Sequence, residues 1–269
     1  MLYCKVAVCW SRTIIVVHVG DFEQTGVVES ASMARPKVSV CMATWNGERY
    51  IEQQLRSVLP QLQAGDEVVV IDDVSSDSTL DRIHSMGSDL IRVIRHTENG
   101  GVVVSFEDAL RHATGDILFL CDQDDIWAPD KVSKVLSAFA AHPDANIVAH
   151  NVALIDEHGA PLDGAWYVDS RRFASGLLAN LKVNRFQGSA IALRASLLPK
   201  VLPFPRNKQF IHDVWIGMRN HLTGGKAVHI DEPLLLYRRH SLNASTRYPF
   251  LRQLSGRIQL AFYLLRSMF

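Results

Sequence analysis

The sequence predicts an α/β protein: a Rossmann-like, mainly parallel sheet with helices on both faces, followed by a smaller mixed half. Three observations predict it. Apolar, β-branched runs alternate with segments of helical spacing from residue 37 to residue 141. The runs are continuously apolar, as in strands buried on both faces. Three of them end in polar clusters, and ligands of such sheets bind outside the carboxyl ends of the strands.

The elements follow in order. KVSVCMAT (37–44) is a strand that ends at the turn signal Trp45-Asn46-Gly47. In residues 47–61, Tyr50, Ile51, Leu55, Val58 and Leu59 recur at helical spacing. EVVVIDD (67–73) is a second strand, and residues 75–87 read as a helix with Ser/Asp caps and a closing glycine. DLIRVIRH (89–96) is a third strand, and residues 102–115 are a helix after the Asn99-Gly100-Gly101 turn. DILFLCD (116–122) is the fourth strand, and a helix starts at Pro129 and runs through Ala141. Beyond residue 142 the rhythm changes. Residues 145–156 read as a strand, GAPLDG as a loop, and 185–198 as strand into helix. A helix begins near His212, and residues 226–240 suggest two short strands around Pro233.

The chain has 269 residues, 48% of them hydrophobic, and a formal net charge of zero. That suffices for one large domain or two small ones. Charge balance argues against a nucleic-acid binder, which carries a basic surplus. Cys4, Cys9, Cys41 and Cys121 form no CxxC pair and read as reduced thiols of a cytoplasmic protein. No apolar run is long enough to span a bilayer. Residues 1–34 lack a partner pattern and read as a disordered or misannotated extension, with Met33 or a nearby codon as the true start. Residues 241–269 carry Arg247, Arg252, Arg257 and Arg266 with no acid, and Ile258, Leu260, Ala261, Leu264 and Leu265 form an apolar face. Two readings stand: a helix packed on the domain or a partner, or a basic amphipathic helix on the anionic inner face of the plasma membrane.

The densest chemistry is in 117-ILFLCDQDDIWAPDK-131, where Asp122, Asp124 and Asp125 crowd the end of an apolar strand. Unpaired, they would repel one another and raise each other's pKa. Asp122 and Asp124, two apart, can point to one side as hard oxygen ligands for Mg²⁺ or Mn²⁺. An EF-hand is excluded, since Trp127 and Ser133 stand where glycine and glutamate belong. Helix capping needs one carboxylate, not three. Haloacid-dehalogenase-type phosphatases and response-regulator receivers place their acids after other strands.

The segments CMATWNGERYIEQQL, VVVIDDVSSDST and FLCDQDDIWAPDK, in this order, resemble family 2 glycosyltransferases of the GT-A fold from about residue 36 to 245. RFQGSAIALRASLLPKVLPFP, FIHDVWIG and LLYRRHSLNAS are similar to the non-processive bacterial polysaccharide branch, with its rhamnosyltransferase-like members. The resemblance implies a nucleotide-sugar-binding half over 35–125, an acceptor-binding and catalytic-base half over 126–245, and a C-terminal helix over 246–269. It implies that Ala43, Thr44 and Asn46 line the nucleotide pocket and that Asp72 accepts the pyrimidine ring N–H, which uracil and thymine have and cytosine lacks. Asp73 has the weaker claim and could cap the helix of Ser75–Ser78. Asp122-Gln123-Asp124 matches the DXD motif: Asp122 faces ribose or metal and Asp124 binds metal. Asp125 belongs to the same loop. Asp213 matches the catalytic base, or serves only the dipole of its helix. Trp215 stacks on a sugar or packs in the core. His240 matches a loop position that contacts metal or diphosphate, and Arg238 or Arg239 pairs with phosphate or is plain surface charge.

The function so implied is metal-dependent, inverting transfer from a UDP- or dTDP-sugar to a glycan or lipid-linked acceptor. The processive Gln-x-x-Arg-Trp motif does not occur. The alternatives are a nucleotidyl- or phosphotransferase using the same carboxylates, and a catalytically silent nucleotide-sugar-binding module.

Overall fold

The computed structural model of the chain describes residues 35–166, 186–206, 212–241 and 250–267. The expected extension over 1–34, including the start assignment, lies outside the described residues.

Four βα units come first: β1 (Val38–Thr44), α1 (Ile51–Val58), β2 (Glu67–Asp72), α2 (Thr79–Ser85), β3 (Ile91–Arg95), α3 (Val102–His112), β4 (Ile117–Asp122), a short β5 (Ile126–Trp127) and α4 (Lys131–Ala141). The strands of these units other than β5 lie parallel in the order β3-β2-β1-β4. The sheet continues through β8 (Ile191–Arg194), β6 (Ala145–Ile155) and β9 (Lys226–Arg238), with β7 (Pro161–Trp166) paired to β6. Here β8 is antiparallel to both neighbours, while β6 and β9 run parallel. One sheet thus crosses the boundary expected at residue 125. α5 (Leu198–Val201), α6 (His212–Leu222) and α7 (Phe250–Arg266) complete the described elements.

Strand alternation divides the core. Val38, Val40 and Met42 pack with Ile51, Leu55, Ile83 and Phe139 on one side of the sheet. Cys41, Val69 and Ile71 pack with Phe106, Leu110, Ile216 and Leu264 on the other. Helices therefore cover both faces, as expected. Cys41 and Cys121 are free and buried.

Two expectations are corrected. GAPLDG is no simple loop: Gly159, at φ +90°, closes a turn and Pro161 opens β7. Residues 226–240 form no pair of strands. Pro233, which has no N–H to donate, sits inside the single strand β9 where the β6–β9 register shifts. Asn151 Nδ2 donates to the Asp231 carbonyl at 2.7 Å beside the irregularity.

Candidate active site

The parallel register sets the site. Thr44 pairs with Asp72 and Ala43 with Asp122, so the carboxyl ends of β1, β2 and β4 are level. β2 and β4 flank β1 on opposite sides, which makes this edge the topological switch point.

Side chains stitch the three strand ends together. The Gln123 carboxamide oxygen accepts from Thr44 Oγ1 at 2.6 Å and Trp45 N at 2.9 Å, and its Nε2 donates to the Trp45 carbonyl at 3.1 Å. A Cβ at Gly47 would stand 2.3 Å from that oxygen, so a side chain there would push Gln123 out of these hydrogen bonds. Asn46, at φ +48°, accepts from Ser76 N at 2.8 Å, and its own N–H donates to Ser75 Oγ at 3.0 Å. Thr44, Asn46 and Gln123 are therefore held by protein partners within the loops.

Asp72 is fully buried. Its Oδ2 accepts from Ser75 N at 3.1 Å and lies 3.3 Å from Arg95 Nε, while Oδ1 is a buried acceptor without a partner. Asp73 corrects its expected role. It does not cap the helix after β2; its oxygens accept from Gly100 N and Gly101 N, both at 2.8 Å, at the start of α3. His96 bridges Asp73 and Asp108 at 2.8 and 3.0 Å. Burial opposes charging of this imidazole, but hydrogen bonds to the two acids win and raise its pKa.

The acidic loop meets the end of β9. His240 Nε2 lies 2.9 Å from Asp124 Oδ2, which joins two residues expected to act together. Arg238 is buried and is spent on the loops: its N–H donates to Asp125 Oδ1 at 3.0 Å, Nε to the Asp124 carbonyl at 2.8 Å, and Nη2 to Gln53 Oε1 at 2.7 Å. That corrects the phosphate reading for Arg238; Arg239 is exposed. Burial, then repulsion from Asp124, pushes Asp122 up to about 7. The same causes, with Asp122 added, raise Asp125 well above the usual carboxylate range. Lys131, fully buried beside them, is pulled down to about 7 by desolvation against the support of nearby negative charge. Sequence reasoning missed this lysine, because nothing in its spacing marks it as buried.

Asp213 lies in the first turn of α6 and is 3% exposed. Gly188 N donates to its Oδ2 at 3.1 Å, and Val214 N to its Oδ1 at 2.6 Å. Burial raises its pKa to about 7, with a further push from Asp122. His212 stacks on Phe106 at 4.1 Å between ring centroids, and neither ring nitrogen has a partner. Burial lowers its pKa to about 3, so the ring is neutral. Trp215 corrects the sugar-stacking reading: it is 5% exposed, belongs to the core, and donates Nε1–H to the Val201 carbonyl at 2.8 Å.

No three described His, Cys, Asp and Glu side chains form a ready-made metal cluster. The chemistry of the donor set nonetheless fits Mg²⁺ or Mn²⁺. Asp122 and Asp124 offer hard oxygens, His240 adds a nitrogen already beside Asp124, and one oxygen of Asp125 is buried without a partner.

A level, acid-rimmed sheet edge with a buried carboxyl on a later helix is the architecture of a GT-A glycosyltransferase. The model of "Glycosyl transferase family 2" matches residues 39–202, more than half of the chain. The chain belongs to that family. An uncharacterised protein of Mycobacterium tuberculosis (strain ATCC 25618 / H37Rv) is 32% identical over 209 residues, 76% of this chain and 59% of its own. An uncharacterised glycosyltransferase of Nostoc sp. (strain PCC 7120) is 30% identical over 217 residues, 77% of this chain and 66% of its own. The chain thus spans about three-fifths to two-thirds of these relatives. In fold it resembles S. aureus TarS 1–349 in complex with UDP-GlcNAc, with TM-score 0.69, 20% identity, and coverage of 84% of this chain and 66% of that one. It also resembles the mannosyltransferase PcManGT of Pyrobaculum calidifontis in complex with GDP-Man and Mn²⁺, with TM-score 0.60, 21% identity, and coverage of 87% and 73%.

Proposed function

We propose that this chain is a metal-dependent, inverting glycosyltransferase. It moves a hexosyl or deoxyhexosyl unit from a UDP- or dTDP-sugar to a glycan or lipid-linked acceptor in cell-surface polysaccharide synthesis. The observation that carries this reading is the level strand edge. It sets Asp72, with a partnerless buried acceptor, across β1 from the Asp122–Asp125 cluster.

Asp72 Oδ1 would accept the ring N–H of uracil or thymine. Asp122, Asp124 and His240 would hold Mg²⁺ or Mn²⁺, which when bound neutralises charge growing on the departing diphosphate. Asp213 would accept the proton of the acceptor hydroxyl as its oxygen attacks the anomeric carbon. Attack opposite the leaving group inverts that centre through an oxocarbenium-like transition state. A carboxyl near pKa 7 suits the task, because a base works best when its pKa lies close to the working pH.

A thermal-shift screen of UDP-, dTDP- and GDP-sugars, each with and without MnCl₂, tests the donor assignment. UDP- or dTDP-sugars should stabilise the protein most, and more so with Mn²⁺. Guanine also carries a ring N–H, and the fold neighbour PcManGT is a complex with GDP-Man. A clear GDP preference would therefore overturn the assigned donor class. Nucleoside triphosphate turnover without a sugar acceptor would favour the nucleotidyltransferase alternative.

The lipid-linked acceptor finds support in α7. Leu260 and Leu264 are buried, while Ile258, Phe262 and Leu265 are 63%, 59% and 62% exposed on the outer side. Four arginines and no acid over 241–269 suit an anionic membrane surface. No helix among the described residues is long and apolar enough to cross a membrane. Flotation with anionic vesicles should recover the wild type and lose Ile258→Glu/Phe262→Glu; equal recovery would sink the surface-binding idea.

A further inference from the structure

Lys131 is the first residue of α4, which follows the acidic loop after the short strand β5. Three effects count against it there. Its side chain is fully buried, and a buried ammonium forfeits its hydration. A cation at a helix N-terminus opposes the helix dipole. A long side chain held in one rotamer loses entropy. It is nevertheless well held: Nζ donates to the Ser189 carbonyl at 2.7 Å and lies 4.1 Å over the Trp127 ring.

Ser189 is the middle residue of the single turn Gly188–Ala190. The other end of that turn supplies Gly188 N–H to Asp213 Oδ2 at 3.1 Å. A Cβ on Gly188 would stand 3.0 Å from His212 Nε2 and 3.9 Å from Asp213 Cβ, so the turn passes close beneath the start of α6. One short turn is therefore tied on one side to the first residue of α4 and on the other to the buried carboxyl of α6.

We infer that Lys131 is a positioning residue for Asp213. Its Nζ anchors the Gly188–Ala190 turn to the start of α4, so that the Gly188 amide orients the Asp213 carboxylate relative to the diphosphate end of the site. The inference rests on the reading of Asp213 as the base. It explains a lysine where burial and the helix dipole both disfavour one.

The test compares wild type, Lys131→Met, Lys131→Arg and Asp213→Asn in the full chain. Turnover is read as UDP released from whichever of UDP-glucose, UDP-galactose and UDP-N-acetylglucosamine the wild type consumes. Lys131→Met should bind UDP with MnCl₂ within threefold of wild type and lose kcat about tenfold or more. The acid limb of its pH–rate profile should move to higher pH, because Asp213 loses a well-aimed N–H donor. Amide exchange over residues 186–194 should rise, and Lys131→Arg should restore most of each loss. If Lys131→Met does not fold, Lys131→Gln takes its place. Wild-type exchange over 186–194 would overturn the inference even where no donor is turned over. So would kcat and donor KM worsening together with the acid limb unmoved. If Asp213→Asn turns over like wild type, the base reading falls. If Asp213→Asn is dead while Lys131→Met keeps wild-type kcat and pH limb, this inference alone falls.

Discussion

In the parallel half of the sheet, Thr44, Asp72 and Asp122 each stand at a strand's carboxyl end, level with a neighbour through backbone register. In the mixed half, Gly188, Asp213, Arg238 and His240 come from a turn, a helix start and the end of a strand. Hydrogen bonds between elements join them to their partners: Gly188 N–H to Asp213, Arg238 to the acidic loop, His240 to Asp124, with Arg238 alone also held in ladder register, opposite Ile155. The first half is positioned by the sheet and should tolerate single losses. The second is positioned by individual contacts and should fail one contact at a time.

The largest expected effect tests the second half. Asp213→Asn should lower transfer about 10³-fold while keeping the UDP-plus-Mn²⁺ thermal shift. In the wild type, the rate should fall about tenfold per pH unit below pH about 7, where the carboxyl takes up a proton. Stability moves the other way. Burial raises the folded-state pKa of Asp213 above its unfolded value, so its stabilising contribution is full below pH about 4 and is lost as pH rises through about 7. Asp213→Asn should therefore melt higher than wild type at pH 8 and gain nothing at pH 4, with an upper bound of about 4 kcal/mol. A loss of nucleotide binding equal to the loss of transfer would break the division between the halves.

Next comes Arg238, which fastens the end of β9 to the acidic loop. Arg238→Ala strips buried carbonyls of their donor and leaves Asp125 with less positive charge nearby. A cost of about 3–5 kcal/mol is expected, read as a fall in Tm of about 6–20 °C. A small Tm change would show that ladder pairing, not this side chain, holds the mixed half.

Legibility in the sequence follows the same division. A buried parallel strand announces itself by a continuous apolar run, and the acid after it is then placed by rule. Asp72 and Asp122 were therefore readable, as was the fold. Asp73 was readable as an acid but not as the partner of the amides just ahead of α3, because Gly100 and Gly101 lie beyond an intervening helix and strand. Trp215 stayed open between sugar and core because a helix start offers no local sign of which face is covered. Lys131 was missed because a lysine among charged neighbours looks solvated. The single strand β9 was missed because Pro233 reads as a break unless its bulged partner is known.

A smaller effect tests the first half. Asp73→Asn removes charge from the α3 start and from His96, at about 1–2 kcal/mol. The folded-state pKa of His96 is raised, so its contribution is full below the unfolded value near 6.5 and fades as pH rises through the folded value. The Tm difference between Asp73→Asn and wild type should thus be larger at pH 6 than at pH 9. A pH-independent difference would assign the whole effect to the Gly100 and Gly101 amides.

The smallest effect is the most specific. In Asp72→Asn the amide oxygen should take the side that Oδ2 occupies, because Ser75 N–H and Arg95 both require an acceptor there. The NH₂ group then stands where Oδ1 now offers an acceptor. A donor facing the uracil N–H should weaken UDP about tenfold, or about 1.4 kcal/mol. Cytosine has a ring acceptor at that edge, so CDP should weaken less or improve. Calorimetric titration of UDP and CDP against both proteins reads the ratio directly. Equal weakening of the two nucleotides would mean that Asp72 only shapes the loop through Ser75 and Arg95. A reversal of their order would show that one oxygen, placed by sheet register alone, reads the base.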